Sequence, residues 1–347
     1  MRHLIVPPYL LRHLSTIDDP AMAPAVDAAR LSLSLDDTFR NQRWEPTAPA
    51  RPGARARSIE PPDRRISDAR NTEDLPGVLV RSEGDDPTAD VAATEAYDGF
   101  GHTHALFAEA FGRASIDDDN LPLLGTVHFG TAYDNAFWDG DRMVFGDGDG
   151  MVFTRFTASL SVIGHELAHG VTQYTANLTY EGQSGALNES ISDVFGALVE
   201  QRALGQTASE ASWLIGEGLF TDQVQGRALR SMSAPGTAYD DDVLGTDPQP
   251  DSMDGYVETT DDNGGVHLNS GIPNRAFHLV AAAIGGPAWE APGQIWYDTV
   301  TRGTLPTSCD FVRFATETAD AAAARFGADS TEHSAVLSAW TTVGVTM

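Results

Sequence analysis

Apolar residues follow two different rhythms along the chain, and the change falls near its middle. From 58 to about 157 the pattern favours strands and turns. Thr126-Val127-His128-Phe129 alternates, and Asn135 to Trp138, then Asp139-Gly140, then Met143 to Phe145 reads as a hairpin closed by a tight Asp-Gly turn. From 158 onward the spacing becomes helical, first over 158–175, then over 188–204, 275–284, 292–302, 309–326 and 331–343. The acidic, Gly- and Pro-rich stretch 239–262 between them reads as loops. Ahead of all this, 1–57 holds Pro7-Pro8-Tyr9-Leu10-Leu11, a helical-looking stretch, and a Pro- and Arg-rich run from Pro46 to Arg57 of the kind that forms an exposed, cleavable linker. The expected fold class is α+β in two lobes. Residues 1–57 form a pro-segment and linker, 58–157 a strand-rich N-terminal lobe, and 158–347 a helical C-terminal lobe whose first helix, 158–175, lies at the junction.

Composition narrows the partners. All 22 basic residues are Arg and the net charge is −28, which argues against nucleic acid or an anionic membrane surface. No run of about 18 apolar residues is present, so no membrane-spanning helix is expected. The start of the chain has an apolar stretch too short for a Sec-type signal and broken by Pro7 and Pro8. A cytoplasmic, monomeric protein is therefore expected, with export by a leaderless route as the alternative. The lone Cys309 cannot form an intrachain disulfide and reads as a small residue beginning a helix. Gly146-Asp-Gly-Asp-Gly150 has the start of a calcium loop, but Met151 stands where the next oxygen ligand belongs, so a glycine-permitted turn is the better reading.

The chemistry concentrates in His165-Glu166-Leu167-Ala168-His169. On a helix, positions i and i+4 share a face, so the two imidazoles converge on one point with Glu166 beside them as a base. A catalytic zinc takes three protein ligands and keeps one position open for water, and Glu189, in Asn188-Glu189-Ser190-Ile191-Ser192-Asp193, is the candidate third ligand. Asp193 lies four residues beyond Glu189, on the same face, and suits the acceptor that orients a metal-bound histidine. Further on, His267 follows an Asp262-Asn263-Gly264-Gly265 turn and could stabilise an oxyanion, with Asp262 orienting its ring. Taken singly, the pentapeptide also suits an ordinary amphipathic helix, Asp193 a solvated surface and His267 a polar loop.

The segments 163–171, 185–193, 229–233 and 262–271 resemble, in order and spacing, the thermolysin family of zinc metalloendopeptidases, over roughly residues 65–347. The Pro-Pro-Tyr-Leu-Leu start is similar to the short pro-segment of the protealysin-like subgroup. The resemblance implies zinc ligands His165, His169 and Glu189, and Glu166 as general base. It implies that Tyr180 joins His267 at the tetrahedral intermediate, that Asp193 and Asp262 orient His165 and His267, and that Asn188 supports His169. Asn135 and Ala136 would line the cleft on an edge strand that pairs with an extended peptide. Arg230 would bind a substrate carbonyl. Phe153, Val162, Ile215 and Leu229 would form the pocket for a bulky apolar residue following the scissile bond.

One departure changes the cofactor expectation. Where family members carry carboxylates for paired calcium ions, this chain has Ser161, Ser212 and Leu214, with only Glu200 and Glu217 left, and Arg227 stands at another ligand position. Calcium needs six or more oxygens, so one catalytic Zn2+ is expected and Ca2+ is not required. The implied function is a neutral endopeptidase that cuts proteins or peptides on the N-terminal side of bulky hydrophobic residues. It would be made as a self-processed precursor whose own pro-segment inhibits it. A zinc aminopeptidase, or a catalytically dead binding protein on the same scaffold, are the alternatives.

Overall fold

The computed structural model describes residues 3–41 and 58–347; the expected linker 46–57 lies outside them. A six-stranded sheet runs in the order β1 (His3–Leu4), β5 (Ala136–Trp138), β6 (Met143–Phe145), β4 (Leu123–Val127), β2 (Arg64–Asp68), β3 (Val78–Ser82). The expected hairpin is β5–β6, antiparallel with Phe137 opposite Val144. Pairing is parallel for β2–β4 and β4–β6, and antiparallel elsewhere in the sheet. The strand beyond β5 comes from the first residues of the chain, so the sheet draws on both sides of position 57.

A helix stands where only strands and turns were expected. α3 (Val91–Ala105) packs on the sheet through Ala93, Ala96, Tyr97, Phe100 and His104, an i, i+3, i+4 face. Its threonines and glycines hid that periodicity. The Asp90 side chain caps it by accepting from Ala93 N.

The C-terminal half is helical: α4 (Leu160–Gln173), α5 (Gly182–Leu204), α6 (Asp262–Asn269), α7 (Gly271–Ile284), α8 (Ala291–Thr301), α9 (Phe311–Phe326) and α10 (Thr331–Thr342). α4 is therefore shorter than 158–175, while α5 and α7 begin earlier than the apolar spacing indicated. Cys309 lies before α9, whose cap is Asp310 accepting from Arg313 N at 2.7 Å. Inside the stretch read as loops, Asp240–Asp241 and Gly245–Thr246 pair as two short strands, β9 and β10. α4 and α5 are almost wholly buried, and they cross where Gly164 and Gly196 meet. The N-terminal residues continue from β1 into α1 (Pro8–Leu14) and α2 (Ala23–Asn41), and Leu10, Leu11 and Leu14 are buried in the common core.

Candidate active site

Helix geometry brings His165 and His169 onto one face of α4, and the close crossing of α5 carries Glu189 up to them. The two Nε2 atoms stand 3.0 Å apart. Glu189 Oε2 is 3.5 Å from His165 Nε2, and Oε1 is 3.4 Å from His169 Nε2. The edges of a tetrahedron of nitrogen and oxygen ligands about 2.0–2.1 Å from a zinc ion measure about 3.3 Å. The far nitrogen of each ring is held elsewhere: His165 Nδ1 by Asp193 Oδ1 at 2.7 Å, and His169 Nδ1 by Asn188 Oδ1 at 2.9 Å with Ser192 Oγ at 3.0 Å. Both Nε2 lone pairs therefore face the same point, as does the buried Glu189 Oε2, which has no hydrogen-bond partner. This donor set fits zinc.

Around it, Asp193 is saturated. Its Oδ1 accepts from Arg230 Nη2 at 2.8 Å, and its Oδ2 accepts from Arg230 Nε at 2.9 Å and Asn274 Nδ2 at 2.8 Å. Burial alone would raise the Asp193 carboxyl, but Arg230 and His165 outweigh it and hold it below the usual range. Arg230 on β8 (Arg230–Ser231) thus serves two groups, since its Nη1 donates to Ile5 O at 3.0 Å. Ser192 and Asn274 were not legible from spacing, being a hydroxyl and an amide on neighbouring helices.

Glu166 lies beside the metal ligands. Trp138 N donates to its Oε2 at 2.8 Å, while Oε1 is buried with no partner. Burial, and then the Glu189 charge, push its carboxyl well above the ordinary value. Opposite, Asp262, Asn263, Gly264 and Gly265 all have positive φ, a left-handed turn that α6 continues into a regular one. That turn lets Asp262 reach back to His267, with Oδ1 to Nδ1 at 2.8 Å and Oδ2 accepting His267 N at 3.0 Å. Burial disfavours the imidazolium, yet Asp262 and Glu189 raise His267 to about 9, so it is protonated at neutral pH. Tyr180 OH lies 3.4 Å from His267 Nε2 and donates to Glu189 Oε1.

The cleft edge is not free in this structure. β5 pairs antiparallel with β1, Leu4 opposite Phe137 and His3 opposite Trp138. Ile5 N donates to Ala136 O at 3.1 Å; Asn135 Oδ1 accepts from Val6 N at 2.9 Å and Asn135 Nδ2 donates to Val6 O at 3.4 Å. His267 Nε2 donates to Leu4 O at 2.8 Å. Asn135 and Ala136 were read as edge-strand residues awaiting an extended peptide; the chain's own residues 3–6 are that peptide. Phe153, Val162, Ile215 and Leu229 are fully buried, with Ile215 and Leu229 joined through β7 (Leu214–Ile215) and its hydrogen bond from Leu229 N at 2.9 Å. Ile5 belongs to the same apolar cluster. His3, which sequence reasoning missed, stacks on His169 with ring centroids 4.2 Å apart and meets the Tyr180 ring edge-on at 4.5 Å.

Ser161 N donates to Glu200 Oε2 at 3.2 Å, and Ser161 Oγ accepts from Gly216 N at 3.2 Å. In the glycine-rich turn, Asp149 Oδ1 accepts from the backbone N–H of Met151, Val152 and Phe153 at 2.8–2.9 Å.

Two family models match the chain. One, described as "Thermolysin metallopeptidase, catalytic domain", covers residues 56–173; the other, "Thermolysin metallopeptidase, alpha-helical domain", covers 176–345. Among solved structures, the precursor of protealysin, a metalloproteinase from Serratia proteamaculans, is 50% identical with a TM-score of 0.88, over 99% of this chain and 100% of that one. An extracellular metalloprotease of Pectobacterium carotovorum is 49% identical over 98% of this chain and 96% of its own length. A thermolysin of Alicyclobacillus acidocaldarius is 40% identical over 80% of this chain and 50% of its own length.

Proposed function

The chain belongs to the thermolysin family and is a zinc metalloendopeptidase; on that footing we propose that it cuts on the N-terminal side of bulky hydrophobic residues and is made as a precursor that processes itself. The observation that carries this reading is the convergence of His165, His169 and Glu189 donors at 3.0–3.5 Å, beside a Glu166 oxygen without a partner.

His165, His169 and Glu189 would hold a zinc ion, which would supply a Lewis acid for the scissile carbonyl and a nucleophilic water near neutral pH. Glu166, whose Oε1 has no partner, takes the proton of the attacking water and delivers it to the departing amine. His267, protonated and fixed by Asp262, and Tyr180 donate to the carbonyl oxygen as it gains charge. Arg230, locked by Asp193, donates to the next carbonyl, while Asn135 and Ala136 align the peptide by strand addition.

Residues 3–6 occupy this machinery in the same register. Leu4 O takes the His267 hydrogen bond and Ile5 O the Arg230 one; on this reading the Leu4–Ile5 bond is the counterpart of the scissile bond, with an apolar residue after it. That arrangement supports both the side-chain preference and the inhibitory role of the N-terminal segment. Ser161, whose backbone N–H and hydroxyl are taken up by hydrogen bonds to Glu200 and Gly216, supports independence from calcium.

The deciding variant is Glu166→Gln. Its kcat/KM on casein-derived peptides should fall by about 10²–10⁴-fold with zinc still bound, and the purified protein should keep its full length while the parent shortens by 50–60 residues, a length set by the linker around 46–57. Retained activity would remove Glu166 from the mechanism, and equal shortening in a protease-free preparation would remove self-processing.

A further inference from the structure

A side chain of the N-terminal segment stands beside two of the residues that would hold zinc. One ring nitrogen of His3 and one ligand atom each of His169 and Glu189 all lie within 4.8 Å of one another. Nδ1 of His3 is buried and has no hydrogen-bond partner, although the side chain as a whole is only half-buried. Its ring is confined between the His169 face and the Tyr180 edge. Pairing of His3 with Trp138 on β5, together with the Leu4 and Ile5 carbonyl bonds, fixes the backbone from which it projects.

We propose that His3 is a fourth, displaceable ligand of the zinc ion in the precursor, converting an open catalytic site into a closed one. The inference rests on the zinc reading above. The 4.8 Å bound on the His3, His169 and Glu189 atoms exceeds a tetrahedral edge by about 1.5 Å, so binding requires His3 to shift toward the ion, and no hydrogen bond ties its Nδ1 against that shift. Imidazole is a ligand of the right type, and a closed set of four protein ligands is the arrangement of structural zinc sites.

The device answers a chemical problem. The Leu4–Ile5 bond lies where a substrate bond would be cut, with His267 and Arg230 on its two carbonyls. Its hydrolysis would consume one water, break the Leu4 C–Ile5 N bond, and leave a Leu4 carboxylate and an Ile5 amine. A ligand in the water's place protects that bond without loosening the strand that carries it.

The test uses the full-length zinc-loaded Glu166→Gln protein, with His3 intact, replaced by Phe, or replaced by Cys. Phe keeps the stacked ring and lacks a donor; Cys restores a donor of another element. X-ray absorption at the zinc edge should count three imidazoles with His3 present and two with His3→Phe, and should show one sulfur with His3→Cys. Zinc loss to a chelator should be at least about tenfold faster for His3→Phe than for the parent or the Cys variant. With Glu166 retained, His3→Phe should give a new N-terminus at Ile5 by mass spectrometry. Two imidazoles in every protein, with equal rates of zinc loss, would overturn the inference and leave the zinc reading intact. No stoichiometric zinc in any of the three would overturn both.

Discussion

At the scale of single residues, His128 shows how a side chain far from the catalytic centre can set a pH limit. Its Nε2 lies 2.9 Å from Asp90 Oδ2, and its Nδ1 lies 2.8 Å from Asp147 Oδ1, so one ring joins the cap of α3 to the glycine-rich turn. The Asp147 hydrogen bond, working against burial and helped by Asp90, raises it to about 9. Because the folded value exceeds the unfolded one of about 6.5, the contribution to stability is complete below pH 6.5 and is lost as the pH rises through about 9. With side chains 26% and 31% exposed, screening limits it to about 1 kcal/mol. His128→Gln should therefore melt about 1–2 °C lower at pH 6, with the deficit fading by pH 10; a deficit independent of pH would show that His128 acts as a neutral packing residue. Such a bridge was invisible in the chain because Asp90, His128 and Asp147 belong to separate segments. The zinc pair was legible for the opposite reason: helical spacing alone brings His165 and His169 together.

At the scale of elements, the site depends on how closely α4 and α5 cross. A Cβ on Gly196 would stand 2.4 Å from Ser161 O and 3.0 Å from His165 N, contacts against helix backbone that cannot give way. Gly196→Ala should cost about 1–3 kcal/mol by overpacking. It should also move His165 away from Glu189, lowering kcat/KM about 10²-fold together with zinc content. Full zinc occupancy with unchanged kcat/KM would mean that the crossing does not set the ligand geometry. Helices with strong apolar spacing were legible, whereas α3 was concealed by threonine and glycine within it. The turn before His267 was legible from its Asp-Asn-Gly-Gly composition, though not its left-handed conformation: Gly264 and Gly265 adopt positive φ at little cost. β1 left no trace at all, since a two-residue strand is too short to alternate and exists only by pairing with β5.

At the scale of the whole molecule, two lobes share one core, and hydrogen bonds tie Ser161 to Glu200 and to Gly216 where α4 meets α5. Glu200, raised by burial, is turned to Ser161 N. Zinc restored after EDTA treatment should recover activity without calcium, and added calcium should leave the melting temperature unchanged; a rise of several degrees would reveal a calcium site. The covalent connection of β1 to the sheet it completes has a further, kinetic consequence. While joined to the lobes, residues 3–6 meet β5 at an effective concentration of order millimolar, which a dilute external peptide cannot match. Once the connecting chain is cut, the same hydrogen bonds hold only a separate fragment, whose occupancy obeys ordinary mass action. Cleavage and activation then become distinct events: concentrated cleaved enzyme should remain largely silent, and dilution should release it with a lag set by the fragment's departure.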